Sequence, residues 1–385
     1  MFLPYARQSI DESDLKAVQE ALKEDLITRG PPVAEFEKAI AEFCGARFAV
    51  AFSSGTTALM GAFFAAGTSP YDQVYSSPNT YIASVGIPVQ MGIRPRLVDI
   101  DRSNGNIDLE LLEKELETPF SRGKPIIVPV HFSGIAVDMR KLDKMIKHPD
   151  AVVIEDAAHA IGSAYPSGEK VGSCAYSQMT IFSFHPAKTI TAGEGGMVTT
   201  NDENLYHRLQ LYRDNGIERA APHLQQPSAL GYYEVSAITG NFNLTSFQAA
   251  LGLSQFKRLD KFVDQRRKLI KKYRSLLIDV THIQLFSEEY DERSAYHLFV
   301  VQIDFAAYRT TRENVMRALK ERGVGTQVHY IPLYRHPVLK MLDDYSEFPK
   351  AEQYYARALS LPLYYDLTEN DVERVCQELI NLLRI

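Results

Sequence analysis

The sequence predicts an α/β protein in which a mainly parallel sheet lies between helices and is followed by a smaller α+β domain. Short apolar runs alternate with stretches of helical spacing in the first half of the chain. These runs are nearly continuous, which is typical of strands covered on both faces. Because 385 residues exceed what one core usually serves, we expect a large domain at 1–255 and a small domain at 256–385.

The first two helices can be predicted from their capping residues and from the spacing of their apolar residues. Asp11 can cap a helix whose apolar face carries Leu15 and Leu22. A second helix begins after Pro32 and should end at Gly45. The apolar runs that follow are predicted as strands at 48–52, 96–100, 126–130, 151–155, 179–184 and 196–200.

The later part of the chain predicts a different arrangement. Residues 245–276 contain no proline, so one long helix is expected to lead out of the large domain. Beyond it, the spacing predicts a half-exposed strand at 296–304, a helix at 312–323, a strand at 325–330 and a helix at 369–383.

Composition limits the class of protein. Hydrophobic residues make up 45% and charged residues 23%, which is ordinary for a globular protein, and the net charge of −6 gives no reason to expect nucleic acid. Cys44, Cys174 and Cys376 lack disulfide or metal-ligand spacing, so we predict reduced thiols and no metal site. We see no signal peptide and no apolar run long enough to span a membrane, and expect a cytoplasmic protein.

The stretch "SSGTTALMGAFFAAG" (53–67) places a small-residue turn between a strand and a helix that begins near Thr56. Unpaired amides at a helix start, together with Gly55, favour a phosphate. Ordinary capping by Ser54 or Thr56 explains the same residues. The P-loop pattern and the GxGxxG dinucleotide fingerprint are both absent from the sequence.

A further stretch places polar groups just after a predicted strand. In "AVVIEDAAHAIG" (151–162), Asp156 and His159 follow an apolar strand, where open α/β sheets hold their ligands. A buried carboxylate needs a cation or several donors, and a protonated ring nitrogen would serve. A structural aspartate that caps the next helix is the alternative.

Lys188 lies in "FSFHPAKTITAGEGG" (182–196), a loop rich in proline and glycine between two apolar strands. A lysine there acts as a nucleophile only if burial or charge lowers its pKa from about 10.4. Considered alone, a single lysine is more often a surface charge than a catalyst, and a phosphate cradle is a further alternative.

Several other residues are more often structural when viewed singly. Asn241 and Asn243 precede a helix that Thr245 or Ser246 can cap. Tyr81 and the pair His329–Tyr330 are aromatic positions that commonly serve packing.

Together and in this order, these stretches resemble the DegT-type nucleotide-sugar aminotransferases, which are pyridoxal-phosphate (PLP) enzymes of the aspartate-aminotransferase fold, fold type I. The resemblance extends from near residue 5 to the C-terminal helix. Its most specific parts are "IEDAAHAIG", "FSFHPAKTITAGEGGMV" and "NFNLTSFQAALG".

The resemblance implies a role for each residue. Lys188 matches the lysine that bonds to PLP and carries protons during transamination, and Asp156 matches the carboxylate that pairs with the pyridine nitrogen. His159 matches the residue beside the phenolic oxygen of the ring, and Tyr81 matches the aromatic residue that stacks on it.

The remaining matches concern the phosphate, the partner subunit and the substrate. The phosphate site is matched by Gly55, Thr56 and Ser183. Asn241 matches an asparagine that reaches the phosphate of the neighbouring subunit, which implies a homodimer with active sites at the interface. The candidates for substrate contact are His185, His329 and Tyr330.

The resemblance also implies a substrate class. An amino donor, expected to be glutamate, converts PLP to pyridoxamine phosphate (PMP), and the amine then passes to a keto carbon of a nucleotide-linked sugar. The stretches "VGTQVHYIPLY" and "NGNIDLELLE" are most similar to the UDP-4-amino-4,6-dideoxy-N-acetyl-altrosamine transaminases of the pseudaminic acid pathway. We therefore expect transfer to C4 of a UDP-4-keto-6-deoxy-N-acetyl-hexosamine. A dTDP- or GDP-linked 3- or 4-keto sugar stays open.

One residue departs from the family pattern, and two other functions compete. Asn243 stands where the family usually has arginine or lysine, which weakens the transfer of a substrate from close relatives. Relatives that act as sugar dehydratases carry histidine at the position of Lys188, so the lysine argues against that reaction. A non-enzymatic regulatory protein is disfavoured because Lys188, Asp156 and the phosphate site are intact.

Overall fold

A seven-stranded sheet forms the larger part of the molecule. The computed structural model describes residues 2–118, 122–219, 221–225, 230–342 and 345–383. The sheet has the order β1-β7-β6-β5-β4-β2-β3, and only β7 runs against the other strands. Its strands are β1 Phe48–Phe52, β2 Gln73–Ser76, β3 Arg96–Leu97, β4 Pro125–Val128, β5 Val152–Asp156, β6 Met179–Ser183 and β7 Gly196–Thr200. The prediction of a mainly parallel α/β sheet is confirmed.

Two smaller sheets and the helices complete the described elements. A two-stranded sheet pairs β8 Ile217–Glu218 with β9 Glu234–Val235, and an antiparallel three-stranded sheet joins β10 Ile283–Leu285, β11 Phe299–Ile303 and β12 Ala358–Leu361. The α-helices are α1 Glu12–Ala21, α2 Pro31–Cys44, α3 Gly55–Ala65, α4 Ala83–Gln90, α5 Leu109–Leu116, α6 Met139–Met145, α7 Glu203–Arg213, α8 Ser246–Phe256, α9 Leu259–Leu277, α10 Arg312–Glu321, α11 Pro349–Arg357 and α12 Glu369–Leu383.

The helix ends at the start of the chain agree with the sequence, but the buried face of α1 does not. Asp11 caps α1, and Gly45 ends α2 in the left-handed conformation with φ of 78°. Leu15 and Leu22, predicted to form the apolar face, are 50% and 52% exposed in this chain. Helix α1 instead buries Asp14 against the side chains that follow α8.

The predicted long helix at 245–276 is wrong, because the chain breaks between α8 and α9. Arg258 leaves helical geometry, with φ of −108° and ψ of 6°. Its guanidinium lies 2.6 Å from the Asp11 carboxylate and also contacts Asp14. The break thus places Arg258 against two acidic groups of α1, an ion-pair arrangement that helical periodicity does not reveal.

Three strand predictions also need correction. The run at 96–100 keeps strand pairing only at Arg96–Leu97. Residues 325–330 form no strand, only an isolated bridge from Gln327 to Ser360. The strand predicted at 296–304 is β11, and it is fully buried rather than half exposed, because β10 and β12 flank it and Tyr273 of α9 stacks on Phe299 at 4.5 Å.

The core divides between the two parts of the chain. Apolar clusters lie against the seven-stranded sheet, and a separate cluster fills the C-terminal part around β11, α9 and α12. The buried Arg266 of α9 donates to the backbone carbonyls of Tyr296, His297 and Leu363, which fixes the segment that enters β11. The domain boundary at residue 256 stays a prediction.

Among the described residues, no helix combines the length and apolar character that a membrane crossing requires.

Candidate active site

The carboxyl ends of the parallel strands meet at one edge of the large sheet, where a cavity of about 470 Å³ opens. The sequence-predicted residues that line it are Gly55, Thr56, Tyr81, Asp156, His159, Ser183, His185, Lys188, His329 and Tyr330. Residues that lie far apart in sequence, such as Gly55, Asp156 and Ser183, converge there because β1, β5 and β6 end at the same edge.

A larger cavity of about 760 Å³ lies elsewhere, beside the edge strand β3. Its lining includes Arg94, Lys114 and Glu115 but none of the residues predicted to carry chemistry. Volume alone therefore does not identify the site, and the smaller cavity holds the reactive groups.

Lys188 is presented by the connection between the antiparallel strands β6 and β7. Hydrogen bonds from Phe184 N to Gly195 O (2.8 Å) and from Ala192 N to Phe184 O (3.0 Å) close this connection. The Lys188 amide donates to His185 O at 2.8 Å. Burial lowers the pKa of the Lys188 amine to about 8, although the Asp156 carboxylate acts in the opposite direction. A substantial fraction of the amine is therefore neutral near physiological pH.

Asp156 ends β5 and is buried at the cavity wall. Its carboxylate accepts a hydrogen bond from Ser84 Oγ at 2.6 Å and one from Ala158 N at 3.1 Å. In the described part of the chain no lysine or arginine forms an ion pair with it. A buried carboxylate that has few donors and no ion pair can bind a cationic donor supplied by a ligand.

The start of α3 provides an anion site beside β6. Ser54 caps the helix by accepting from Thr57 N at 3.1 Å, which leaves the amides of Gly55 and Thr56 without an intrahelical acceptor. A Cβ on Gly55 would lie 2.9 Å from Ser183 Cβ, so only glycine permits this approach. Ser54 therefore caps the helix, as one of the two hypotheses from the sequence stated, and the phosphate site at the next two amides stays a prediction.

His159 belongs to a buried aromatic cluster at the cavity. Its Nδ1 accepts from Ser133 N at 3.3 Å, so the neutral ring carries its proton on Nε2, 3.0 Å from Tyr330 Oη. The His297 ring lies 4.3 Å from that of His159. Burial holds the pKa of His159 well below its usual value, and the Lys188 charge adds to this shift. His159 is therefore a neutral hydrogen-bond donor.

The other predicted site residues differ in burial and in hydrogen bonding. His329 Nδ1 lies 2.8 Å from Ser360 Oγ, and burial lowers the pKa of His329 to about 3. Tyr81 is 59% exposed at the cavity mouth. His185 is also largely exposed, with its ring 3.9 Å from the Glu194 carboxylate.

Asn241 does not line the cavity of its own chain. It is exposed, and its Oδ1 accepts from the amide nitrogen of the Asn243 side chain at 2.8 Å. The role at the neighbouring subunit that the resemblance implies stays a prediction.

Sequence reasoning missed two cavity residues that come from outside the large sheet. Tyr5 reaches the cavity from the N-terminal segment, with its ring 5.6 Å from that of His329. His297 lies in a segment predicted as an ordinary strand, and its Nδ1 has no hydrogen-bond partner among the described residues. A histidine inside the apolar run "YHLFVV" was the available signal for the second.

Two solved structures that share this fold are described as aminotransferases. PseC from Helicobacter pylori, an aminotransferase involved in the biosynthesis of pseudoaminic acid, is 28% identical with a TM-score of 0.90, and the match covers 100% of both chains. The putative sugar aminotransferase Spr1654 from Streptococcus pneumoniae, in its PMP form, is 25% identical with a TM-score of 0.89 and 99% coverage of both. Fold and site therefore define a sugar aminotransferase of the PLP-dependent class.

The sequence comparisons identify the family. The profile of the DegT/DnrJ/EryC1/StrS aminotransferase family matches residues 8–380. The spore coat polysaccharide biosynthesis protein SpsC of Bacillus subtilis (strain 168) is 36% identical over 100% of this chain and 97% of its own length. The chain belongs to the DegT/DnrJ/EryC1/StrS family, as its sequence predicted, and the PMP form of Spr1654 implies PLP as the family's cofactor.

The lowered pKa of Lys188 predicts a distinctive pH dependence of its reactivity. In the PLP-free chain, labelling of Lys188 by a small amine reagent should rise with pH and reach half its maximum near pH 8, because only the neutral amine reacts. Asp156→Asn should move this midpoint to lower pH, since it removes a charge that favours the ammonium form. Mass spectrometry of digests measures both, with peptides that carry exposed lysines as the internal reference. A midpoint near the ordinary value of about 10.4 would contradict the prediction.

Proposed function

We propose that this protein uses PLP to move an amino group from glutamate to C4 of a UDP-linked 4-keto-6-deoxy-N-acetyl-hexosamine. The observation that carries the proposal is Lys188, an amine whose pKa burial lowers to about 8, in a cavity that also contains a buried carboxylate and a helix start. Amino transfer to a sugar is the activity of the family, and the nucleotide, the sugar and the carbon position are the proposed part.

The residues of the cavity fit PLP. Asp156 would hold the pyridine nitrogen, since its buried carboxylate accepts only two hydrogen bonds from the described residues. The free amides of Gly55 and Thr56, with the hydroxyl of Ser183, would hold the phosphate. Tyr81 at the cavity mouth is available to cover the ring. When bound, PLP supplies the electron sink that makes the α-proton of an amino acid removable.

The chain's own groups would orient the reactants and move protons. Lys188 would take the proton from one carbon and return it to another, which requires an amine with a pKa near the working pH. His159, neutral and protonated on Nε2, would donate toward an oxygen at the cavity. Tyr330 shares that hydrogen bond and reaches the cavity from the small domain, so the substrate candidates His329 and Tyr330 connect the two parts of the chain.

The choice of sugar rests on the relatives. PseC acts in the biosynthesis of pseudoaminic acid, and SpsC in that of spore coat polysaccharide. The similarity to PseC supports the proposed UDP-linked substrate. The stretch that contains His329 and Tyr330 supports it as well, because its sequence is similar to that of transaminases of the pseudaminic acid pathway. A dTDP- or GDP-linked 3- or 4-keto sugar is the alternative, because Asn243 replaces the cation that close relatives place there.

We also propose a homodimer with Asn241 reaching the partner's phosphate site. Asn241 lies on the surface, outside its own cavity. Large apolar side chains that are exposed in the single chain include Leu15, Leu22, Leu26, Ile27, Val235 and Ile238. Exposed apolar groups in such number favour a covering partner. The three buried free thiols fit the reducing cytoplasm, where we expect the enzyme to act.

The cofactor assignment predicts covalent attachment at one residue. Borohydride reduction of the PLP-loaded protein should fix PLP to the peptide that contains Lys188, as mass spectrometry would show. Lys188→Ala should abolish this adduct and lower kcat at least about 100-fold, the scale of general acid–base catalysis. Lys141→Ala, at an exposed lysine, is the matched control. An adduct that persists in Lys188→Ala would refute the assignment.

The substrate assignment predicts selectivity among nucleotide sugars. With glutamate as donor, the enzyme should aminate a UDP-4-keto-6-deoxy-N-acetyl-hexosamine with higher kcat/KM than dTDP- or GDP-linked 3- or 4-keto sugars. Product mass and NMR identify the carbon that carries the amine. Preference for a dTDP or GDP sugar, or for C3, would replace the proposed substrate and leave the aminotransferase class intact.

A shared active site predicts complementation between two inactive variants. Lys188→Ala and Asn241→Ala should each be impaired, but refolding or coexpressing them together should restore up to about a quarter of the wild-type activity, because one site of each mixed dimer is intact. Mixing Lys188→Ala with Asp156→Asn, both on the same side of the site, is the negative control. Failure of the first pair to exceed this control would place Asn241 in its own chain's site or outside both.

A further inference from the structure

Three potential metal ligands lie together outside the cavity. They are His207 on α7, Glu218 on β8 and His223 in the short 3₁₀ turn Ala221–His223, and their donor atoms all lie within 4.8 Å of one another. None of the three lines the active-site cavity.

The cluster has a buried centre and an open side. The Glu218 side chain is 5% exposed, and its Oε2 lies 2.5 Å from Nε2 of His207, which is 30% exposed. The exposed His223 stacks on His207 with ring centroids 4.2 Å apart. The carboxylate is therefore held inside, and the two imidazoles lie toward the surface.

We propose that His207, Glu218 and His223 form a binding site for a divalent transition metal of the zinc type. Two imidazole nitrogens and one carboxylate oxygen are one of the donor sets of zinc sites with three protein ligands, which keep a further position for water. Imidazole favours zinc, copper, nickel and iron over magnesium or calcium. The sequence predicted no metal site because it contains no cysteine or histidine pattern at ligand spacing; the site arises only when α7 and β8 come together.

The distances require a small adjustment. Ligands about 2.1 Å from a tetrahedral zinc ion are about 3.4 Å apart. The His207–Glu218 contact, at 2.5 Å, is shorter than that distance, so these two donor atoms must separate slightly. The exposed His223 must move closer by rotating its side chain. Metal binding would displace the proton shared between His207 and Glu218 into solvent.

The site would brace the segment that leads to Asn241. Strand β8 pairs with β9, and the Asn215 amide donates to Gly240 O at 2.9 Å, next to Asn241. A metal that links α7 to β8 and the following turn would therefore stabilise this region.

The test is Zn²⁺ binding to PLP-loaded enzyme stripped of metal by a chelator. Competition with a chromophoric chelator should show about one tight equivalent per chain, and melting temperature should rise with Zn²⁺. His223→Ala and His207→Ala should each weaken binding by more than the 10- to 100-fold that loss of a supporting residue causes. Co²⁺ in place of Zn²⁺ should give visible absorption bands that both variants lose.

Controls separate this site from other histidines and from folding defects. His282→Asn, at an exposed histidine elsewhere, should bind Zn²⁺ like the wild type. His223 is exposed, so its variant should fold even where substitution of buried Glu218 does not. Absence of a tight equivalent in the wild type, or equal affinity in His223→Ala, would overturn the proposal. Neither result bears on the transamination assays, which test Lys188.

Discussion

Two adjacent carboxylates at the end of β5 face opposite sides of the sheet, and each must be satisfied where water is excluded. Glu155 is fully buried and accepts from His131 Nε2 at 2.7 Å, Tyr165 Oη at 2.7 Å, Thr180 Oγ1 at 2.9 Å and the Ser177 hydroxyl. Burial raises the pKa of Glu155, but these hydrogen bonds outweigh it and hold the pKa below its usual value. The Glu155 carboxylate is thus ionised and held in place by these hydrogen bonds.

The groups that donate to Glu155 link β5 to β6 and to the segment that follows β4, next to the cavity that contains Lys188. Val137 N donates to His131 Nδ1 at 3.0 Å, so Nε2 is the ring nitrogen that donates to Glu155. Thr180 lies on β6, three residues before Ser183, which shares the cavity with Asp156. Because side chains alternate along a strand, fixing Glu155 on one face fixes Asp156 on the other.

Close backbone approaches join the lysine connection to the phosphate site. A Cβ on Gly196 would lie 2.2 Å from Ser54 O, and one on Gly55 would meet Ser183. The start of α3 is therefore packed closely against the end of β6 and the start of β7. Lys188 is presented from the same hairpin, so its distance from the helix start is set by covalent geometry and strand pairing rather than by a mobile loop.

Much of this could be predicted because the necessary signals are local. Helical periodicity predicts the bounds of α12, and apolar runs predict the buried strands. The polar groups at the strand ends then follow from where those runs stop. What could not be predicted depends on contacts between distant segments. The break at Arg258 depends on acidic residues some 240 positions earlier, and β11 is buried because strands on both sides cover it. Tyr5 and His297 enter the cavity only through the docking of the N-terminal and C-terminal segments.

The exposed face of α1 shows a different limit. Leu15 and Leu22 have the helical spacing of a buried stripe, yet both are half exposed in the single chain. Spacing identifies an apolar face but not what covers it. The same pattern is produced by contact with the chain's own core and by contact with a second copy.

Asp156 and the neighbouring imidazoles together decide the state of Lys188. His159, His297 and His329 all have pKa values lowered by burial, with the Lys188 charge contributing, so none of them adds a positive charge at neutral pH. Asp156 alone raises the pKa of Lys188. A cation bound to Asp156 would cancel that attraction and lower the pKa of the lysine further. In the proposed cofactor complex the pyridine nitrogen would be that cation, so its binding at Asp156 would also favour Lys188 as a neutral base.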